Sequence, residues 1–224
     1  MKKITIAIDG HSSTGKSSIS KAIAQKLGLI HLDTGALYRG ITFFGLKNYS
    51  NENHEINIDA LIQNLNRIVL EFREENGDLV LYMNGENINI PIRSIEVSEN
   101  VSLVAKQPEV RAFLLETQRK IAKNGGIIMD GRDIGTVVLP DADYKFFITA
   151  SVEERARRRF LELTNSGIIT DEEAVKKNLI ARDKTDSERT TAPLKQAEDA
   201  ILIDNTHLNK EESIELILSY LLPR

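Results

Sequence analysis

Gly10, His11, Ser12, Ser13, Thr14, Gly15, Lys16 and Ser17, followed by Ser18, carry the spacing G-x-x-x-x-G-K-[ST]. That spacing is the phosphate-cradling P-loop. Glycines at 10 and 15 let the backbone approach phosphate closely. The loop amides then converge on the anion, and the helix that follows adds the positive end of its dipole. Lys16 supplies a point charge for the β- and γ-phosphates, and the Ser17 hydroxyl suits Mg2+. The chemistry implied is binding of a nucleoside triphosphate, ATP, with Mg2+.

Four other stretches place charge at the ends of predicted strands or helices. Asp130 closes an apolar strand and resembles a Walker-B acid that reaches Mg2+ through water. Gly131 then allows a sharp turn into Arg132 and Asp133. Asp33-Thr34-Gly35-Ala36-Leu37-Tyr38-Arg39 offers a hydroxyl, a phenol and a guanidinium after a short strand, where ligands sit in open α/β sheets; packing for Tyr38 and a surface salt bridge for Arg39 are the competing readings. Arg182 to Arg189 alternates in sign, which fits either an exposed, salt-bridged helix end or arginines closing over phosphates. Glu154 to Arg159 opens a helix with Arg155, Arg158 and Arg159 on one face. It reads as a solvated face or as the source of a lid arginine for ATP, with Arg158 the candidate.

These residues need elements to hold them. Ile4–Ile8, Leu29–Leu32, Gly126–Asp130, Asp143–Thr149 and Ala200–Asp204 read as strands, and helical patterns run around 16–27, 35–48, 108–123, 151–164, 171–181 and 210–222. The first helix should end at Gly28. The last should start at Asn209 with Glu212 completing a capping box. Alternating strands and helices predict an α/β fold: a P-loop core with a parallel sheet and flanking helices. Residues 67–92 break that rhythm. Ile68, Leu70 and Phe72 alternate with Val69, Glu71 and Arg73, and Asn76-Gly77 and Asn84-Gly85 signal tight turns, so a small three-stranded antiparallel insert is expected. The division predicted is a core of 1–37, 100–150 and 186–224, an inserted module of 38–99 holding the antiparallel strands, and a helical segment of 151–185.

Composition narrows the class. The 224 residues carry 29 basic and 33 acidic side chains, a net charge of −4, which does not favour a polyanionic partner. Interleaved aromatics for base stacking are missing from the arginine cluster. The chain has no cysteine, which excludes disulfides and thiol catalysis. Histidines 11, 31, 54 and 207 lack metal-ligand spacing. No apolar run reaches the length of a membrane span, and the first residues are too short on apolar character for a signal peptide. A cytoplasmic monomer without nucleic-acid or membrane partners is expected.

Taken together, GHSSTGKSS, LDTGALYRG, the antiparallel insert, SLVAKQPEVR, DGRDIGTVV and RDKTDSERTTAPL closely resemble the bacterial cytidylate kinases, in order and over nearly the whole chain. The resemblance implies transfer of the ATP γ-phosphoryl to CMP or dCMP with Mg2+. It implies that Ser102, Arg111 and Asp133 read the cytosine edge, Asp133 accepting from the amino group and Arg111 serving the acceptors. It further implies that Arg182 and Asp186 contact the sugar, that Arg39, Arg132 and Arg189 bind the monophosphate, and that Thr34 and Tyr38 line its pocket. Lys16, Arg132, Arg182 and Arg189 would carry catalysis. Thr34 stands where relatives often have serine, and His11 where proline is common. A kinase for UMP, AMP or another small acceptor, or a P-loop ATPase or switch, is the alternative.

Overall fold

The computed structural model describes residues 3–75 and 78–221. It has two compact units: Met1–His31 with Asn124–Arg224, and Leu32–Lys123. Among the described residues no helix is long and apolar enough to cross a membrane.

The first unit is built on a sheet of strand order β2-β6-β1-β7-β8. These strands are β1 (Thr5–Gly10), β2 (Ile30–Asp33), β6 (Ile127–Gly131), β7 (Tyr144–Thr149) and β8 (Ile201–Asp204). β1 runs parallel to both β6 and β7, and β7 parallel to β8. Ile6, Ala7 and Ile8 of β1 are all 0% exposed, as a strand covered on both faces requires. α1 (Lys16–Leu27) and α8 (Lys210–Leu221) pack Ile19, Ile23, Ile214 and Ile217 against Ile6, Ile8, Phe146 and Ile148. Each such aliphatic side chain contributes about 1.5–3 kcal/mol on burial.

The ends of these helices follow the sequence. Gly28 caps α1 and donates its N–H to the Ala24 carbonyl. The Asn209 N–H donates to Glu212 Oε2 while the Glu212 N–H donates to Asn209 Oδ1, the expected reciprocal box. Two further helices, α6 (Val152–Asn165) and α7 (Glu172–Glu188), form a hairpin around Ala156, Val175 and Leu179. α7 runs to Glu188, well beyond the residue near 181 expected from periodicity, so the alternating charges of 182–188 belong to a continuous helix.

The second unit is centred on α2 (Thr34–Tyr49), with α3 (Ile58–Gln63), α4 (Ile95–Ala105) and α5 (Pro108–Ala122) around it. Its core joins Leu37, Ile41 and Phe44 of α2 to Val101, Val104, Val110 and Leu114. The antiparallel insert is present as β3 (Leu70–Glu75), β4 (Asp78–Met83) and β5 (Glu86–Asn87). Ile68, Leu70 and Phe72 pack on the core while Val69, Glu71 and Arg73 face solvent, the alternation read from sequence. Asn84 and Gly85 both take positive φ, 51° and 84°, as a two-residue hairpin turn requires. The expected Asn76-Gly77 turn lies outside the described residues. α3 and α4 were not expected from the sequence.

Candidate active site

The P-loop connects β1 to α1, and its shape follows from Gly10. A Cβ there would lie 2.0 Å from the Ile148 carbonyl oxygen on β7, so only glycine lets the chain leave the sheet at this point. Gly15 and Ser13 hold φ of 84° and 61°, turning the loop into α1. The loop's carbonyls are engaged from within and from behind. Lys16 Nζ donates to the His11 carbonyl at 2.7 Å and Thr14 Oγ1 to the same oxygen at 3.1 Å. Asn205 Nδ2 donates to the Thr14 carbonyl at 2.9 Å, and the Ser18 hydroxyl to the Gly15 carbonyl at 2.9 Å. His11 stands edge-on to Phe147 at 5.9 Å. Burial holds its imidazole below the ordinary value; Asp183 opposes this, while Arg155, Arg132 and Lys16 reinforce it, so the ring favours its neutral form.

Ser17 Oγ donates to Asp130 Oδ2 at 2.6 Å, and Asp130 Oδ1 accepts from His31 Nε2 at 2.6 Å. A hydroxyl and a carboxylate meeting at a phosphate loop form an all-oxygen donor set that suits Mg2+. His31 was not singled out in the sequence; its pairing with Asp130, 99 positions away, has no local signature.

Arg132 is the hub of the first unit's charged residues. Its Nη2 donates to Ser12 Oγ at 2.6 Å and its Nε to Asp186 Oδ2 at 2.9 Å, so one guanidinium joins the P-loop to the end of α7. Arg189 stands 3.7 Å from both Asp186 Oδ1 and Asp133 Oδ1. Asp133, Asp186 and Arg189 are buried, and Arg182 is half-buried on the same helix. Burial alone would raise the Asp186 carboxyl; Arg132, Arg189 and Arg182 override it and hold the group below the ordinary carboxylate range. The stretch 182–189 is thus divided: Lys184 and Glu188 face solvent, while Asp186 and Arg189 are buried.

The arginine run of α6 separates by position. Arg155 is buried at 3% exposure, donates to Asp183 Oδ2 at 2.6 Å and to the Ala150 carbonyl at 3.0 Å, and approaches the Ser12 carbonyl at 3.4 Å. Arg158 donates to Glu154, to the side chain and carbonyl of Asn205, and at 3.5 Å to the Thr14 carbonyl. Arg157 and Arg159 pair with Glu154 and Glu162 on their own helix. Arg155 therefore tethers the hairpin to the P-loop, a role the sequence did not single out.

The second unit gathers its own set. Arg39 Nη2 donates to Asp33 Oδ2 at 2.7 Å. Arg111 is buried, donates to the Ala105 carbonyl at 3.0 Å, and lies over the Tyr38 ring at 5.2 Å from its centroid. Tyr38 and Thr34 are buried on α2, and Ser102 is half-buried on α4. In the first unit one further buried acid went unremarked in the sequence: Asp9, at 4% exposure, accepts from the amides of Ile134 and Gly135.

Comparison with known proteins places nearly the whole chain in one family. The family model described as cytidylate kinase matches residues 6–222. A cytidylate kinase of Flavobacterium johnsoniae is 50% identical over 220 residues, covering 97% of this chain and 96% of the relative. One from Streptococcus pneumoniae is 49% identical over 218 residues, with 97% and 96% covered. Among solved structures, an uncharacterized protein from Eubacterium ventriosum aligns with a TM-score of 0.50 at 14% identity over 98% of each chain, a likeness of fold.

Proposed function

The chain belongs to the cytidylate kinase family, and we propose that it phosphorylates CMP and dCMP to CDP and dCDP with ATP as donor. The observation that carries this reading is the buried network Ser12–Arg132–Asp186–Arg189–Asp133 beside a complete P-loop. It sets the Arg132 guanidinium on the P-loop with Arg189 linked to it through Asp186, the kind of fixed positive charge that transfer between two phosphates needs.

The P-loop amides and Lys16 bind the ATP phosphates. The acceptor oxygen of the monophosphate is largely ionised at neutral pH, its second pKa lying near about 6, so no strong general base is required. Direct in-line transfer follows, with no phosphoenzyme. Arg132, Arg182 and Arg189 stabilise the spreading negative charge, and Asp186 fixes Arg132 and Arg189 in advance. Ser17 and Asp130 would hold Mg2+, which when bound neutralises charge on the donor phosphates.

The acceptor is recognised by Asp133 and Arg111 at the cytosine edge with Ser102, by Arg39 at the phosphate, and by Thr34 and Tyr38 lining its pocket. Arg182 and Asp186 serve the sugar, and Arg158 serves ATP. By role, residues 38–99 bind the monophosphate and 151–185 act as a lid on a core of 1–37, 100–150 and 186–224. A carboxylate facing an amino group rejects uracil strongly, because uracil sets an oxygen against it.

A coupled ADP-release assay across CMP, dCMP, UMP and AMP tests the proposal. CMP and dCMP should be used well above the others. Equal use of UMP, or ATP hydrolysis indifferent to every acceptor, would overturn it.

A further inference from the structure

We propose that Asp9 is the positioning residue of the base-reading turn, fixing Asp133 from the strand that leads into the P-loop. The inference rests on the reading of Asp133 given above. Asp9 lies on β1 with its Cα opposite Gly131 of β6 and Phe147 of β7. Its Oδ1 accepts from the Ile134 N–H and its Oδ2 from the Gly135 N–H, both at 2.7 Å.

Those amides open the π-helical turn Ile134–Val138. The Asp133 carbonyl accepts from the Val137 and Val138 N–H groups at 2.9 and 3.1 Å. The Asp133 carbonyl and the Ile134 N–H belong to one peptide plane. That plane is therefore held at one end by the turn and at the other by Asp9. On the other side of Asp133, Gly131 is held in the sheet as the last residue of β6, opposite Asp9 of β1. The base-reading carboxylate thus hangs from a backbone pinned on both flanks.

The residue type at position 9 follows from counting donors. Two amides in one turn need two acceptors. A carboxylate offers an acceptor at each oxygen, whereas an amide would aim its NH2 group at an N–H. The space is matched too. A Cβ on Gly135 would lie 3.4 Å from Asp9 Oδ2 and 3.2 Å from Lys145 Cδ, so alanine there crowds the same pair.

The test compares kcat/KM for CMP and UMP, at saturating ATP, in wild type, Asp9→Asn, Gly135→Ala and Asp133→Asn. Asp133→Asn should lower the CMP:UMP ratio by about tenfold or more. Asp9→Asn should lower it by about threefold or more, with KM for ATP within about twofold, because one turn amide loses its acceptor. A merely structural role would lower both substrates equally and leave the ratio alone. If Asp133→Asn shifts the ratio and neither Asp9→Asn nor Gly135→Ala does, the inference is overturned. If Asp133→Asn leaves the ratio unchanged, the reading of Asp133 itself is overturned. Should Asp9→Asn fail to fold, Gly135→Ala decides by the same ratio.

Discussion

Arg132→Lys keeps the charge of the hub and removes its fork. In the structure two bonds leave different nitrogens of one plane, to Ser12 Oγ at 2.6 Å and to Asp186 Oδ2 at 2.9 Å. An ammonium is a single point on a flexible stem and cannot hold both partners in that geometry. One charge-assisted bond is therefore lost, at a cost of about 1.5–3 kcal/mol. At about 1.4 kcal/mol per factor of ten, kcat/KM for CMP should fall about 10- to 150-fold. The assay is steady-state ADP release, with urea unfolding to confirm that the variant remains fully folded under assay conditions. Ser12→Ala, alone and combined with Arg132→Lys, completes a double-mutant cycle. The second change should cost much less in the presence of the first, since the two residues share one bond. A kcat/KM within about twofold of wild type, or strict additivity in the cycle, would refute the hub.

Lys16→Ala should lower kcat/KM by about a hundredfold or more, the scale for losing one preorganised donor to developing charge. Single-turnover transfer measures it, and near-normal turnover would contradict the placement of Lys16. Asp9 gives a pH signature. Burial pushes its carboxyl up from 3.8 to about 6, against the two amides that favour the charged form. The folded value lies above the unfolded one, so the native state gains from the proton. That stability is complete below about pH 3.8 and is lost as pH rises through about 6. A shift of about two units corresponds to roughly 3 kcal/mol. Urea unfolding should therefore show wild type losing that much relative to Asp9→Asn between about pH 4 and 7. A pH-independent difference between the two proteins would refute the shift.

Contiguous motifs made the donor side of the site legible. The P-loop, the Asp130 strand end and the Asn209–Glu212 box each announce themselves within a few residues, because the physics that fixes them is local. The hydrogen bonds from Asp9 to the 134–135 turn and from His31 to Asp130 span 125 and 99 positions or more, and nothing in either neighbourhood hints at the other. α4 went unread for a different reason. Ile95, Val97, Val101 and Val104 are β-branched and weak helix formers, so the helix depends on packing of Val97, Val101 and Val104 and on Ser94 accepting the Val97 N–H at its start. α3, at six residues, is shorter than any periodicity can certify. In α7, strong local charge obscured the inward face. Asp186 is followed three residues later by Arg189, and only tertiary burial shows that both turn inward.

The α6–α7 hairpin has a stability of its own to consider. Its apolar core is Ala156, Val175 and Leu179, with Phe160 and Leu163 half-covered, while Leu161, Ile169 and Ile180 stay exposed. So small a core gives the hairpin little to resist local unfolding, whereas β1 melts only with the whole sheet. The Arg155–Asp183 pair ties α6 to α7, and the same guanidinium reaches the Ser12 carbonyl of the P-loop. Opening of the hairpin can thus proceed as a sub-global event, one that leaves β1 intact while freeing the Asp186 end of α7. Nucleotide bound at the P-loop would oppose that opening, because Arg155 and Arg132 join the hairpin to the same loop.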